Sequence, residues 1–225
     1  GGTGTAANNY GHAIVGAGAS GYHFGNWSSN GTVSIASTTT ASTTAKIASA
    51  ATITATGAAN TVKVNLNKDG AAYADSGMKV TLYNGTTATT YTATVSSGTT
   101  ATITTVPNGT YNIYIGKDSN HKTDMVASGL TVTVNNNNPT AVTVNYYTLT
   151  IKLTNATTTV NGTNVANNGT VIVAKSIAHD IVATAASGYQ FASNATIWTK
   201  NNNNATIAKN SANLILFFCF LRLRH

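Results

Sequence analysis

The sequence predicts an all-β chain of tandem small modules, a central antiparallel β-sandwich flanked by two incomplete, mainly-β (β-grasp-like) repeats. Three observations predict it. Apolar and polar residues alternate in short runs through the middle of the chain, Asn-Gly and Asp-Gly pairs punctuate those runs, and one sequence signature occurs near both ends. Alternation places one face of a strand on a core and the other in water, and Asn-Gly or Asp-Gly favours tight hairpin turns.

Taken in order, residues 19–24 read ASGYHF, followed by Trp27 and then Ile35-Ala36. Residues 186–191 read ASGYQF, followed by Trp198 and then Ile207-Ala208. The same features in the same order, with Tyr22 and Tyr189 separated by 167 positions, indicate two copies of one unit. Between them, TVKVNLN (61–67), MKVTLYN (78–84), TATITTV (100–106), TYNIYI (110–115), LTVTV (130–134) and AVTVNYYTLTIKL (141–153) all alternate. Asp69-Gly70, Asn84-Gly85, Asn108-Gly109, Asn161-Gly162 and Asn168-Gly169 are the expected type I′ corners, so sequence neighbours should pair antiparallel. No stretch has a sustained apolar period of 3.6 residues with helix caps. These signals give a partial repeat over 1–57, a sandwich of about seven strands over 58–147, a second partial repeat over 148–213 and an apolar tail over 214–225.

The residues carry a resemblance. GYHFGNW with the following GTVSIASTTTASTTAKIASAATITAT resembles a divergent internalin-type B-repeat, and YTLTIKLTNATTTVNGTNVANNGTVIVAKSIAHDIVATAASGYQF is similar to the front half of the same repeat. The central unit, with TVPNGTYNIYI before a final VTVNYYT strand, resembles the prealbumin-like or collagen-adhesin B-type sandwiches, where a Pro-x-Gly-x-Tyr corner leads into a strand. The resemblance implies an exported, adhesin-like bacterial surface protein. In this chain the first repeat lacks its opening strands, and the second departs from the pattern at NSANLILFFCFLRLRH.

Composition agrees with β structure at a weakly charged surface. Only 8% of residues are charged, and Thr, Ser, Asn and Gly supply the polarity. The single cysteine, Cys219, cannot form a disulfide within the chain. The net charge of +7 rests on Arg222 and Arg224 in the tail and on lysines dispersed singly from Lys46 to Lys209. Phosphate binding needs cations converging on one face, so no nucleic-acid partner is expected. The apolar run 214–221 is well short of the ~20 residues of a spanning helix, so no membrane span is expected, and a replacement edge strand or a shifted reading frame fits better. The chain opens on GGTGTAANN without an initiator Met, and it reads as part of a longer chain.

Chemistry-bearing patterns are sparse. Gly16, Gly18 and Gly21 spell the dinucleotide-binding GxGxxG, yet YHFGNWSSNGTVS follows where a helix is required and no acidic residue precedes Asp69, so no cofactor is expected. Every acidic residue is Asp (Asp69, Asp75, Asp118, Asp124, Asp180), and none has a visible nucleophile–base spacing. His179 and Asp180 are strand neighbours that point to opposite faces. No catalytic residue is therefore assigned. The histidines lack paired ligand spacing and no metal site is assigned, although Asp118, Asn120 and Asp124 could gather in one loop around calcium. Lys63 and Asn145, on the first and last sandwich strands, suggest an intramolecular isopeptide. Parity argues against it, since Val62, Val64, Val144 and Tyr146 claim the core face. Tyr22, Phe24 and Trp27 are expected to fill a small core.

The function expected is that of a non-catalytic structural or spacer segment of a secreted, extracellular cell-surface protein. The alternatives are a module binding a host or cell-wall glycan or protein, with Trp27, Trp198 and the loop residues Asp118, Asn120 and Asp124 as ligand contacts, or an accessory domain of a larger secreted hydrolase.

Overall fold

A computed structural model describes residues 2–74, 77–95, 98–116, 126–174, 179–189, 198–201, 204–207 and 216–217. Among them the chain is all-β, with small and mostly antiparallel sheets and no helix. Among the described residues, no helix is therefore long and apolar enough to cross a membrane.

The N-terminal unit has β1 (Gly11–Val15), β2 (Tyr22–Ser29), β3 (Val33–Ile35), β4 (Ser42–Ile47) and β5 (Ile53–Ala59). They form a three-stranded sheet in the order β1-β4-β3 and a β2-β5 ribbon. In β2 a bulge falls at Gly25. Residues 24 and 27 would lie on opposite faces of a regular strand, and the extra residue brings Phe24 and Trp27 together, ring centroids 5.3 Å apart. Tyr22 departs from the expected core trio, being 38% exposed.

The sandwich follows after one intervening residue. Its strands are β6 (Thr61–Lys68), β7 (Ala71–Ala72), β8 (Lys79–Asn84), β9 (Thr87–Thr94), β10 (Thr100–Thr104), β11 (Gly109–Gly116), β12 (Val126–Val134) and β13 (Val142–Lys152). One sheet runs β10-β6-β13 and the other β12-β11-β8-β9. Val62, Val64, Leu66 and Val144 from the first meet Val80, Leu82, Ile113 and Ile115 from the second in one buried cluster. Burying each such side chain is worth roughly 1.5–3 kcal/mol, so this cluster is the main cohesion of the unit. The pairing is not antiparallel throughout. β6 and β13, the first and last sandwich strands, lie side by side and parallel, Val64 opposite Val142 and Lys68 opposite Tyr146. In this register Lys63 falls opposite position 141, four residues from Asn145, and Lys63 is exposed. The expected parity therefore holds for that pair.

The corners divide by geometry. Asp69-Gly70 and Asn161-Gly162 have φ > 0 at both residues, as a type I′ turn requires. Asn84 stays in its strand, and the β8–β9 turn is Gly85-Thr86 with φ > 0 at Gly85 alone, a II′ geometry. Neither Asn108 nor Gly109 has φ > 0. Gly109 lies instead beneath the ring of Tyr111, whose hydroxyl donates to the Pro107 carbonyl at 3.1 Å. Burial pushes the Tyr111 phenol above its ordinary range, with Tyr91 adding to the effect. At the fifth corner only Asn168 has φ > 0, in a turn closed from the Gly169 N–H to the Ala166 carbonyl.

β13 does not stop at the expected boundary after residue 147. Val144 and Tyr146 enter the sandwich core, whereas Ile151, flanked by Leu149 and Leu153, enters a second cluster with Val160, Val165, Ile181 and Ala183. Even positions serve one core and odd positions the other, so one strand has opposite faces in two modules. The second module adds β14 (Ala156–Val160), β15 (Thr163–Val165), β16 (Thr170–Ala174), β17 (Asp180–Ala185), β18 (Trp198–Asn201), β19 (Asn204–Ile207) and β20 (Leu216–Phe217). Its sheet order is β15-β14-β17-β20, so two tail residues pair with β17 as an edge strand.

The two repeat copies agree more closely than their shared hexapeptide. His12, Ile14 and Val15 recur as His179, Ile181 and Val182 at the same offset. Gly21 and Gly188 have φ of 82° and 81°, and Tyr22 N–H to Ala19 O and Tyr189 N–H to Ala186 O are both 2.9 Å. They differ in cover. β17 is flanked by β14 and β20, whereas among the described strands β1 pairs only with β4. Ile181 is accordingly 5% exposed, Ile14 only half-buried, and Val15 74% exposed. Ile181→Ala is expected to destabilise its module by about 2–5 kcal/mol. Ile14→Ala should cost about 1 kcal/mol, with less area removed from water. Urea unfolding of the two variants checks the order.

Candidate functional site

The glycine-rich stretch is a packing device. After Gly21 the chain enters strand β2, and each fingerprint glycine has a steric reason. A Cβ on Gly16 would meet the Phe24 ring at 2.7 Å. One on Gly18 would run into the Tyr22 carbonyl, and Gly21 supplies the left-handed turn position. Trp27 is 7% exposed, and its indole N–H donates to the Thr40 carbonyl at 2.9 Å. Its backbone N–H donates to Thr38 O, and Gly16 N–H donates to Ala41 O, so the 38–41 loop closes over the ring. Little of Trp27 reaches solvent for a ligand to stack on.

Of the other candidate contacts, Trp198 alone lies among the described residues. Asp118, Asn120 and Asp124 lie outside the described residues. Trp198 opens β18 opposite Ile207, in the sheet that contains β13. No three His, Cys, Asp or Glu side chains converge to hold a metal ion among the described residues. The exposed aromatics there are Tyr10, Tyr22 and Tyr189, and the last two sit at equivalent positions of the repeated turn.

The polar chemistry is concentrated at the junctions. Asn60, the single residue between β5 and β6, is fully buried. Its Nδ2 donates to the Val106 carbonyl at 3.0 Å, which fixes the amide orientation and leaves Oδ1 to accept from His23 Nδ1–H at 2.9 Å. Its backbone N–H donates to Gly21 O and its carbonyl accepts from Val106 N–H. Asn60 thus binds both modules with side chain and main chain. Beside it, Thr105 has φ of 58°, costly for a β-branched residue, with its carbonyl against Gly21.

The second junction uses Asp69, in the left-handed corner after β6. Its Oδ1 accepts from Thr148 N–H at 2.9 Å and its Oδ2 from the Thr148 hydroxyl at 2.6 Å, while Asp69 N–H donates to Tyr146 O at 3.0 Å. The Thr148 hydroxyl, then the Thr148 N–H, hold this carboxyl below its ordinary range; slight burial opposes them, and the Lys68 ammonium adds a smaller lowering.

Sequence reasoning missed both junction residues. The signal for Asn60 is one amide set between two alternating runs. For Asp69 it is a hairpin corner whose partner strand lies 79 positions away, and periodicity does not reveal such a partner.

No family model matches the chain, and no curated protein matches it. Among solved structures, the Bacillus anthracis TIE protein is similar at 11% identity with a TM-score of 0.27, over 86% of this chain and 42% of that one. The chain therefore spans less than half of that protein's length.

Two outcomes are expected. Asn60→Ala leaves the His23 ring N–H and the Val106 carbonyl without their partner and should destabilise by about 1–3 kcal/mol, read from the urea midpoint. Because the folded Asp69 carboxyl titrates below its unfolded value, its contribution is complete above the ordinary carboxylate range and fades as pH falls through the lowered value. The difference in urea midpoint between wild type and Asp69→Asn should therefore be constant near neutrality and shrink in acid.

Proposed function

We propose that this chain is a non-catalytic structural segment of a secreted bacterial cell-surface protein, adhesin-like in organisation, that holds another part of the protein away from the surface. The observation that carries this reading is the in-line arrangement of the modules. β6 and β13 are parallel neighbours, so the chain enters the sandwich at one end and leaves it at the other. A repeat unit lies on either side, and the ASGY turn recurs with the same geometry in both. Modules strung through opposite ends add length, as a spacer requires. The sequence resemblance to internalin-type B-repeats and collagen-adhesin B-type sandwiches supports an extracellular setting.

A second reading has one specific observation in its favour. Tyr22 and Tyr189 are 38% and 51% exposed on equivalent turns, and exposed tyrosines recur in glycan and protein recognition. A panel of host-matrix proteins and glycans separates the two readings. The spacer reading expects a folded β protein by circular dichroism that retains nothing on the panel. A specific hit lost in the double variant Tyr22→Ser, Tyr189→Ser, with the β spectrum unchanged, would replace it with the binding module.

A further inference from the structure

We infer that the parallel β6–β13 pair, closed by the Asp69–Thr148 clasp, is a non-covalent tension clamp that makes the sandwich the load-bearing module of the chain. The inference rests on the spacer reading for its purpose, since a spacer between an anchor and a held object carries force along its length. Its geometry stands independently.

Tension on the chain pulls the start of β6 one way and the end of β13 the other. The two strands are adjacent and parallel, so this load slides one along the other rather than peeling them apart. Ladder bonds in a parallel pair are evenly spaced, and in sliding they are strained together instead of one at a time. The pairing spans Val64–Lys68 against Val142–Tyr146.

Side chains lengthen it at both ends. At the entry, Asn138 Oδ1 accepts from Thr61 N–H at 2.7 Å, tying the first residue of β6 to the segment before β13. At the exit, Asp69 N–H donates to Tyr146 O, and the carboxylate accepts twice from Thr148. Val64, Leu66, Val144 and Tyr146 seal the inner face of the ladder from water. A covalent lock is not needed for this behaviour, and Lys63 and Asn145 are out of register for one. Asn60 and the continuous β13 deliver the load without slack, because neither junction contains a free linker.

The test is single-molecule pulling of the full chain with Cys219→Ser, in two geometries. In the first, handles are fused to the two ends. In the second, they are attached at Lys63→Cys and Ala141→Cys, two exposed positions at the same end of β6 and β13, so that force peels the strands. End-to-end pulling should rupture the sandwich at a several-fold higher force than peeling. That event should release about 3.5 Å of contour for each residue between Thr61 and Tyr147. Asp69→Ala and Thr148→Val should lower the end-to-end force and leave the peeling force unchanged, with the β spectrum retained.

Equal forces in the two geometries would overturn the clamp and leave the spacer reading untouched. A loss of force in both geometries for Asp69→Ala would make Asp69 a general stabilising contact and overturn the clasp. Specific retention on the ligand panel would remove the spacer reading and leave the anisotropy of force as a property of the fold.

Discussion

The hydrogen-bonded union of β6 with β13 is the constraint on which the architecture depends. It joins the two ends of the segment Val64–Tyr146 and makes the sheet on that side continuous from β10 through β6 to β13. The strands run the same way, so the preceding and following chain depart from opposite ends. Loop-closure entropy makes such a distant pairing unfavourable at first, and the repayment comes from the valines and leucines that the two strands share with the facing sheet.

Each neighbouring unit is then fixed by very little chain. On the entry side one buried amide satisfies groups from two modules. Burial of that amide is tolerable because its side-chain donor and acceptor are both used. On the exit side no connecting segment intervenes, because β13 passes from one core to the next. A fully packed face before Tyr147 and a differently packed face after it leave no position where the chain can pivot freely.

Much of this was legible in the residues. Alternation located six of the sandwich strands but neither β7 nor β9, and Val62, Val64, Val144 and Tyr146 lie where period-two reasoning puts them. The ASGY recurrence marked two copies whose turns superpose in φ and hydrogen bonding. The change of phase in β13 is also written in the sequence, since apolar residues occupy 142, 144 and 146 and then 149, 151 and 153. What escaped was partnership. Side-chain periodicity says which face is buried but not which strand lies alongside, so the parallel pairing and the Asp69–Thr148 contact had no local signal. Turn chemistry was only half decisive. Asn108-Gly109 shares the letters of a type I′ corner, but the Tyr111 ring claims the space above the glycine and the backbone takes another conformation. The bulge at Gly25 was equally silent. The Asp118–Asp124 loop falls outside the described residues.

The shared strand also sets a rule for editing the chain. A cut after Tyr147 would leave Val144 and Tyr146 with the sandwich and Leu149 and Ile151 with the second module, yet it would sever the Asp69–Thr148 contact and split the β13–β16 ladder. Spacing through Tyr147 is equally restricted. An extra pair of residues there returns Leu149 and Ile151 to their own side, whereas a single insertion turns them toward the wrong one. A joint of this kind therefore keeps both cores in phase only when its length changes in even steps.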